Sequence, residues 1–403
     1  MNSLLAMAGG VPVRAEFLPF AKPSIGSEEI DEVVDTLKSG WISRGPKTER
    51  FERLFADYCG ARHAVAVNSC TSALHMALAA IGVRSGDEVI TSPVTFPSTV
   101  NVILHLGARP VFADVEPGTL NIDAESIEKK VTRRTKALLP VHFAGMPCDL
   151  DRITAIAKSH GLSVIEDAAH AFGAEYKGTR IGGFDTLAAF SFYATKNITT
   201  GEGGMLTTQG DEMYDRLRPL SLHGMTAGAW KRYADKSEFH WDIVDAGFKY
   251  NMSDIQAALG IHQLEKAEKF WQRRKAVVER YNEAFRKLGD SVYPIGISPP
   301  ANRKSAYHLY VLVLRTETLG VDRDTVARAL LAENIGIGIH FRALHLFPYY
   351  SERLGVKRGT LPNAEYASDR VLSLPLYPAL TDAEVEDVIS AVVKVVQNYR
   401  KRA

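Results

Sequence analysis

The chain has 403 residues, 46% hydrophobic and 24% charged, ordinary usage for a globular protein and length enough for two domains. Its 48 Lys+Arg against 47 Asp+Glu, a formal net charge of +1, remove the electrostatic ground for a nucleic-acid or anionic-membrane partner. Three distant cysteines (Cys59, Cys70, Cys148) offer neither a disulfide framework nor a zinc ligand set, and no run approaches the roughly 20 apolar residues of a membrane span, so a cytoplasmic protein without a metal is expected.

From 63 to 208, short apolar, β-branched runs alternate with segments of helical period. Strands are expected over 63–67, 88–91, 110–114, 137–142, 162–166, 188–192 and 204–207, with helices over 71–81, 97–106 and 150–160 among them. This recurrence suits βαβ units. It points to the α/β class, with a mostly parallel, doubly wound sheet whose ligands lie beyond the carboxyl ends of the strands. Residues 223–240, rich in Gly, Ala and charge, read as a mobile loop. Residues 253–288 read as one extended helix linking two domains. An apolar run over 307–314, a helix over 324–333, a strand-like stretch over 335–341 and a last helix over 382–399 then suit a smaller α+β domain. The expected division is 1–260 for the N-terminal segment and large domain, and 261–403 for the linking helix and small C-terminal domain.

Three local patterns carry chemistry. Asp167, in Glu166-Asp167-Ala168-Ala169-His170, follows an apolar run and lies where such a sheet presents groups to a ligand. It can be a metal ligand, a ribose anchor or the partner of a protonated pyridine nitrogen, or simply a helix N-cap. Lys196 leaves the run Ala189-Phe190-Ser191-Phe192 and precedes the glycine-rich Gly201-Glu202-Gly203-Gly204. Buried, its amine would shift toward the neutral form that attacks carbonyl carbon; alone, it would read as a solvated surface charge. Asn68-Ser69-Cys70-Thr71-Ser72, small and hydroxyl-rich, opens a helix, and such a turn is either an anion site or an ordinary cap. Asp167 and Lys196 stand about one βαβ step apart. A carboxylate for a pyridinium, a lysine for an aldehyde and an anion site together meet the demands of pyridoxal 5'-phosphate (PLP).

The strings GDEVITSPVTFPSTVN, EDAAHAFGAEYKG, FSFYATKNITTGEGG and YNMSDIQAALG resemble the DegT/DnrJ/EryC1/StrS family of sugar-nucleotide aminotransferases, over nearly the whole chain. The resemblance implies the PLP-dependent transferase fold type I, aspartate aminotransferase-like. It also implies Lys196 as the lysine that bonds the cofactor, Asp167 at the pyridine nitrogen and His170 near the ring's 3'-oxygen. Thr71, Ser72 and Ser191 match the phosphate positions, and Phe96 matches the aromatic ring that stacks on the pyridine. In a homodimer of this family the partner reaches the phosphate from the segment matching Lys249-Tyr250-Asn251; many members read Asn-Tyr-Arg there, so Asn251 and Lys249 are the candidates in this departure. Some relatives carry histidine at the lysine position and dehydrate instead, a branch that Lys196 argues against.

Within the family, the segments at 39–47 and 336–345 and the Tyr250-Asn251-Met252 variant are most similar to the UDP-4-amino-4-deoxy-L-arabinose aminotransferase type. His340, Arg342 and His345 follow an apolar stretch and either meet a sugar hydroxyl or the diphosphate, or are rim residues of the small domain. The implied reaction moves an amino group from L-glutamate to a keto-sugar nucleotide, a UDP-4-keto-pentose, leaving 2-oxoglutarate. The alternatives are a 4-keto-6-deoxyhexose nucleotide serving a surface glycan or antibiotic, and a noncatalytic regulator with the same fold. A dinucleotide-binding oxidoreductase is disfavoured because no Gly-x-Gly-x-x-Gly follows the first strand.

Overall fold

The computed structural model describes residues 4–226, 242–296 and 299–400. The expected loop over 223–240 lies mostly outside them. Seven strands form the large sheet: β1 (His63–Val67), β2 (Glu88–Thr91), β3 (Arg109–Phe112), β4 (Thr135–Leu139), β5 (Ser163–Asp167), β8 (Leu187–Ser191) and β9 (Gly204–Thr208), in the spatial order β1-β9-β8-β5-β4-β2-β3. A small hairpin, β6 (Glu175–Tyr176) and β7 (Thr179–Arg180), separates β5 from β8. β9 runs antiparallel to both its neighbours, while β8, β5, β4, β2 and β3 pair in parallel. The sheet is therefore mostly parallel, as the α/β reading requires.

Side chains of these strands alternate between two covered faces. Ala64, Ala66, Ala188 and Phe190 pack with Phe51 and Phe55 of the Pro46–Cys59 helix and Ile261 of the Asp254–Glu265 helix. Val65, Val67 and Ala189 pack on the opposite face with Ala73, Leu74 and Ala77 of the Cys70–Ala80 helix. Because both faces are buried, the strands read as continuous apolar runs, and their parallel direction brings the carboxyl ends of β1, β2, β5 and β8 to one rim.

The second sheet is antiparallel, β10 (Val292–Ile295), β12 (Tyr310–Leu314) and β13 (Val371–Leu374), with β12 central. Helices Ala267–Phe285, Arg323–Ala332 and Asp382–Tyr399 contribute Val277, Tyr281, Val326, Leu330, Val388 and Val392 to its core. β11 (Arg303–Lys304) adds to the β6–β7 hairpin and stitches the two units together.

Three expectations differ from the structure. The stretch 253–288 is two helices, Asp254–Glu265 and Ala267–Phe285, interrupted at Lys266, where ψ is −3°, with a 3-10 turn after them. The packing changes partners within the second helix, since Phe270 belongs to the large-sheet core and Val277 to the small one. Leu5 and Leu18, grouped by sequence with the large domain, also pack in the small core. Residues 335–341 make only isolated bridges, Leu18↔Ile335 and Gly338↔Ser373, instead of a ladder strand. The N-terminal segment crosses so closely there that a Cβ on Gly336 would lie 2.6 Å from the Phe20 nitrogen and 2.7 Å from the Leu18 oxygen.

That N-terminal segment is tied down by one buried carboxylate. Glu333 accepts from the N–H groups of Ala6 and Val13, each at 2.9 Å, and from Lys394 Nζ at 2.8 Å. Lys394 also donates to the Val11 carbonyl at 2.8 Å. Among the described residues no helix is long and apolar enough to cross a membrane.

Glu333→Ala strands the Lys394 cation and two backbone donors, so it should cost about 3 kcal/mol of stability. The check is denaturant unfolding together with limited proteolysis. The N-terminal segment should become the first site of cleavage, and an unchanged cleavage pattern would contradict its anchoring by Glu333.

Candidate active site

A cleft of about 820 Å³ opens between the rim of the large sheet and the small unit. Thr71 follows β1, Phe96 follows β2, Asp167 ends β5, Ser191 ends β8 and Lys196 lies in the turn beyond it; all five line the cleft, with His170. Parallel strands deliver these residues, distant in sequence, to one place.

Asp167 is buried. Its Oδ2 accepts from Thr99 Oγ1 at 2.7 Å and its Oδ1 from the Ala169 N–H at 3.2 Å. Burial raises its pKa, and the Thr99 and Ala169 hydrogen bonds and nearby Lys196 offset part of that shift. The strand end is braced behind it. The Cys148 N–H donates to His142 Nδ1 at 3.0 Å, which makes Nε2 the donor to Glu166 at 2.7 Å; Glu166 also accepts from Thr186.

Lys196 makes no side-chain ion pair among the described residues. Burial lowers its pKa to about 8, against weaker opposing effects of Cys70 and Asp167. At pH 7 roughly a tenth of such an amine is neutral, against about one part in 3,000 for an ordinary lysine. It is a primed nucleophile beside a carboxylate.

The turn after β1 is built as expected, with a different division of labour. Ser69 Oγ caps the Cys70–Ala80 helix by accepting the Ser72 N–H at 3.1 Å. Ser72 donates its hydroxyl to Asn68 at 2.6 Å, so its side chain is engaged in the cap, while Ser69, Cys70 and Thr71 line the cleft. The helix's first-turn N–H groups and dipole favour an anion there. Gly204 permits this arrangement, because a Cβ on it would lie 2.5 Å from the Ser69 carbonyl carbon and 2.6 Å from the Cys70 nitrogen.

His170 is buried, and its Nδ1 has no hydrogen-bond partner among the described residues. Burial and the Lys196 charge hold it neutral. Phe96 is 61% exposed although it lines the cleft, an aromatic face left open to a flat ligand. An orphaned imidazole nitrogen, a desolvated amine, a desolvated carboxylate, an open ring and an anion-binding turn all fit PLP. Among the described residues no group of three or more His, Cys, Asp or Glu is arranged to hold a metal ion.

On the small-unit wall, His340 and Arg342 line the cleft. His340 Nδ1 meets Ser373 Oγ at 2.9 Å, its ring stacks on Phe20 at 5.3 Å, and burial lowers its pKa to about 4. Arg342 lies over the Phe347 ring at 4.6 Å and donates to the Leu346 carbonyl at 2.6 Å. His345 is not in the cleft: it is buried and its Nε2 meets Glu365 at 3.1 Å, a structural pairing. Lys249 and Asn251 lie outside this cleft too, beside β1 and bonded to each other at 2.7 Å. Sequence reasoning missed Phe20, Thr95, Tyr193 and His308, which line the cleft. Of these His308 carried a legible signal, a polar residue inside an apolar run.

The DegT/DnrJ/EryC1/StrS aminotransferase family matches residues 23–393. The spore coat polysaccharide biosynthesis protein SpsC of Bacillus subtilis (strain 168) is 50% identical over 388 residues, 96% of this chain and 99% of that protein. Spr1654 from Streptococcus pneumoniae in its PMP form is 35% identical with a TM-score of 0.88, covering 95% of this chain and 100% of the other; it is also known in a PLP form. PseC of Helicobacter pylori, an aminotransferase involved in the biosynthesis of pseudoaminic acid, is 29% identical with a TM-score of 0.88, covering 95% and 100%.

The lowered lysine pKa predicts how cofactor capture depends on pH. The neutral amine is the attacking form, so the rate at which added PLP acquires the absorbance of the lysine-bound species should rise with pH through about 8 and then level off. A midpoint near the ordinary lysine value would contradict the burial effect, and Lys196→Ala should give no such band.

Proposed function

The chain belongs to the DegT/DnrJ/EryC1/StrS aminotransferase family and is a PLP-dependent sugar aminotransferase; from that premise we propose that it moves the amino group of L-glutamate to a UDP-4-keto-pentose, for polysaccharide biosynthesis. The observation that carries the reaction type is the desolvated Lys196 amine sharing one cleft with the buried Asp167 carboxylate. When bound, the cofactor supplies an aldehyde carbon that takes up amines and a protonated ring that accepts electron density. The residues of this chain do the rest.

Asp167 would keep the ring nitrogen protonated. Its burial makes that pairing strong, because a carboxylate short of water gains most from an opposing cation. The turn at Ser69, Cys70 and Thr71 and the Ser191 hydroxyl would hold the phosphate, His170 would hydrogen-bond the ring oxygen, and Phe96 would cover the ring face. Lys196, as an amine with a pKa of about 8, would be suited to take the proton from the donor's Cα and return it at the cofactor's aldehyde carbon. The same amine works in reverse on the keto sugar. On the opposite wall His340 and Arg342 offer a neutral imidazole and a guanidinium to the sugar and the diphosphate.

In this reading the enzyme is a homodimer whose Lys249 and Asn251 reach the phosphate site of the partner subunit. Support comes from their placement outside their own cleft and from an apolar stripe on the Ser27–Ser39 helix, where Ile30, Val34 and Leu37 are 55%, 40% and 55% exposed at helical spacing. The second acceptor is a 4-keto-6-deoxyhexose nucleotide for a surface glycan, a role that the 50% identity to a spore coat polysaccharide biosynthesis protein suits as well.

Incubation with glutamate and each nucleotide, with mass analysis of the product, separates the two acceptors. The amino-pentose nucleotide should form at the higher kcat/KM, and exclusive amination of the 6-deoxyhexose would replace the first acceptor by the second. Lys196→Ala should lower turnover by at least about 10³-fold, the scale of a lost acid–base group that also forms the covalent link. Near wild-type turnover in that variant would sink the mechanism.

A further inference from the structure

The helix Ala267–Phe285 carries a buried cation that the reaction as described does not use. Arg274 is 1% exposed, and no carboxylate among the described residues pairs with it. Its Nη1 donates to the carbonyls of Leu376 at 2.8 Å, His308 at 3.3 Å and Tyr307 at 3.4 Å, while its Nε has no partner. Burial lowers its pKa to about 9, which leaves it charged at neutral pH. A desolvated charge with no carboxylate opposite it is a costly way to join three carbonyls. Its placement points to the site those carbonyls support.

His308 and Leu376 line the cleft. Tyr307, just before them, is held at φ 49°, in the left-handed region. The Asn197 amide nitrogen donates to the Ala306 carbonyl at 2.8 Å, so the amide oxygen is the atom that accepts from His308 Nδ1 at 2.9 Å. That pairing leaves His308 Nε2 as a lone pair. Asn197 is the neighbour of Lys196 in the chain, and the His308 ring lies 4.3 Å from the ring of His170. One guanidinium thus holds the backbone of a residue that touches both His170 and Asn197, the chain neighbour of Lys196.

We propose that Arg274 is a positioning residue that keeps the His308 imidazole against His170 and Asn197, and so sets the geometry in which the cleft binds PLP. The proposal rests on the cofactor assignment above. It is tested on the full chain stripped of cofactor, as Arg274→Met, Arg274→Lys, His308→Phe and the Arg274→Lys/His308→Phe double variant. The readouts are the unfolding temperature without cofactor and the PLP Kd from absorbance titration.

Arg274→Met, which leaves the three carbonyls without their donor, should unfold somewhat lower than wild type and bind PLP at least tenfold more weakly, with Arg274→Lys between the two in both readouts. His308→Phe should lose a similar factor, and the double variant should be no worse than His308→Phe alone. A PLP Kd within twofold of wild type in Arg274→Met, or losses that multiply in the double variant, would overturn the proposal. If Arg274→Met does not fold, the lysine and phenylalanine variants decide it through the same cycle. Failure of the wild-type chain to bind PLP would count against the cofactor assignment instead.

Discussion

Desolvation of the Lys196 amine is the constraint around which the rest of the structure is arranged. A primary amine attacks carbon only when neutral, and in water at physiological pH it almost never is. The fold supplies the missing free energy by placing that amine at the end of β8, under the walls of the cleft, where burial brings its pKa down to about 8. The opposite problem is set for Asp167, whose burial raises its pKa while Thr99 and Ala169 hold its oxygens. Each group is unfavourable in its own place and useful to a ligand that brings the complementary charge.

A site of this kind needs a lid of protein, and the chain provides it from three remote segments. The N-terminal residues, anchored on Glu333, deliver Phe20 to the ring of His340. The entry to β12 contributes His308, and the stretch between the Arg323–Ala332 helix and β13 contributes His340 and Arg342. Glycine is required where two of these segments touch, at Gly336 beside Leu18 and Phe20, and again in the large sheet at Gly204 under the anion turn. A methyl group at either position would displace backbone, so close approach and not chain flexibility explains both.

Much of this was legible in the sequence because both faces of the large sheet are buried. Burial on two sides makes a strand a continuous apolar run, and all seven were read within three residues of their ends. The helix Leu150–His160 was legible for another reason, an Asp149 cap at one end and a left-handed Gly161 at the other. Legibility failed where local pattern and tertiary contact disagree. Residues 335–341 have strand composition but meet the crossing N-terminal segment in place of a ladder. His345 stands five residues after His340 in the same polar-tipped segment, and a 3-10 turn at Leu344–Leu346 lies between cleft and core, sending it to Glu365 instead of the ligand.

What the sequence by itself determined is the chemistry: an α/β sheet, an amine, a carboxylate and an anion-binding turn, each marked by residue type and by its place after an apolar run. These are properties of short segments, and short segments carry them. Only the tertiary structure decided which of the marked residues meet. Ser72 caps while Ser69 faces the cleft, His345 is withdrawn, Lys249 and Asn251 lie outside, and Phe20, His308 and the buried Arg274 enter the account. Side-chain direction depends on contacts between segments hundreds of residues apart, and those contacts leave no periodic trace in the chain that makes them.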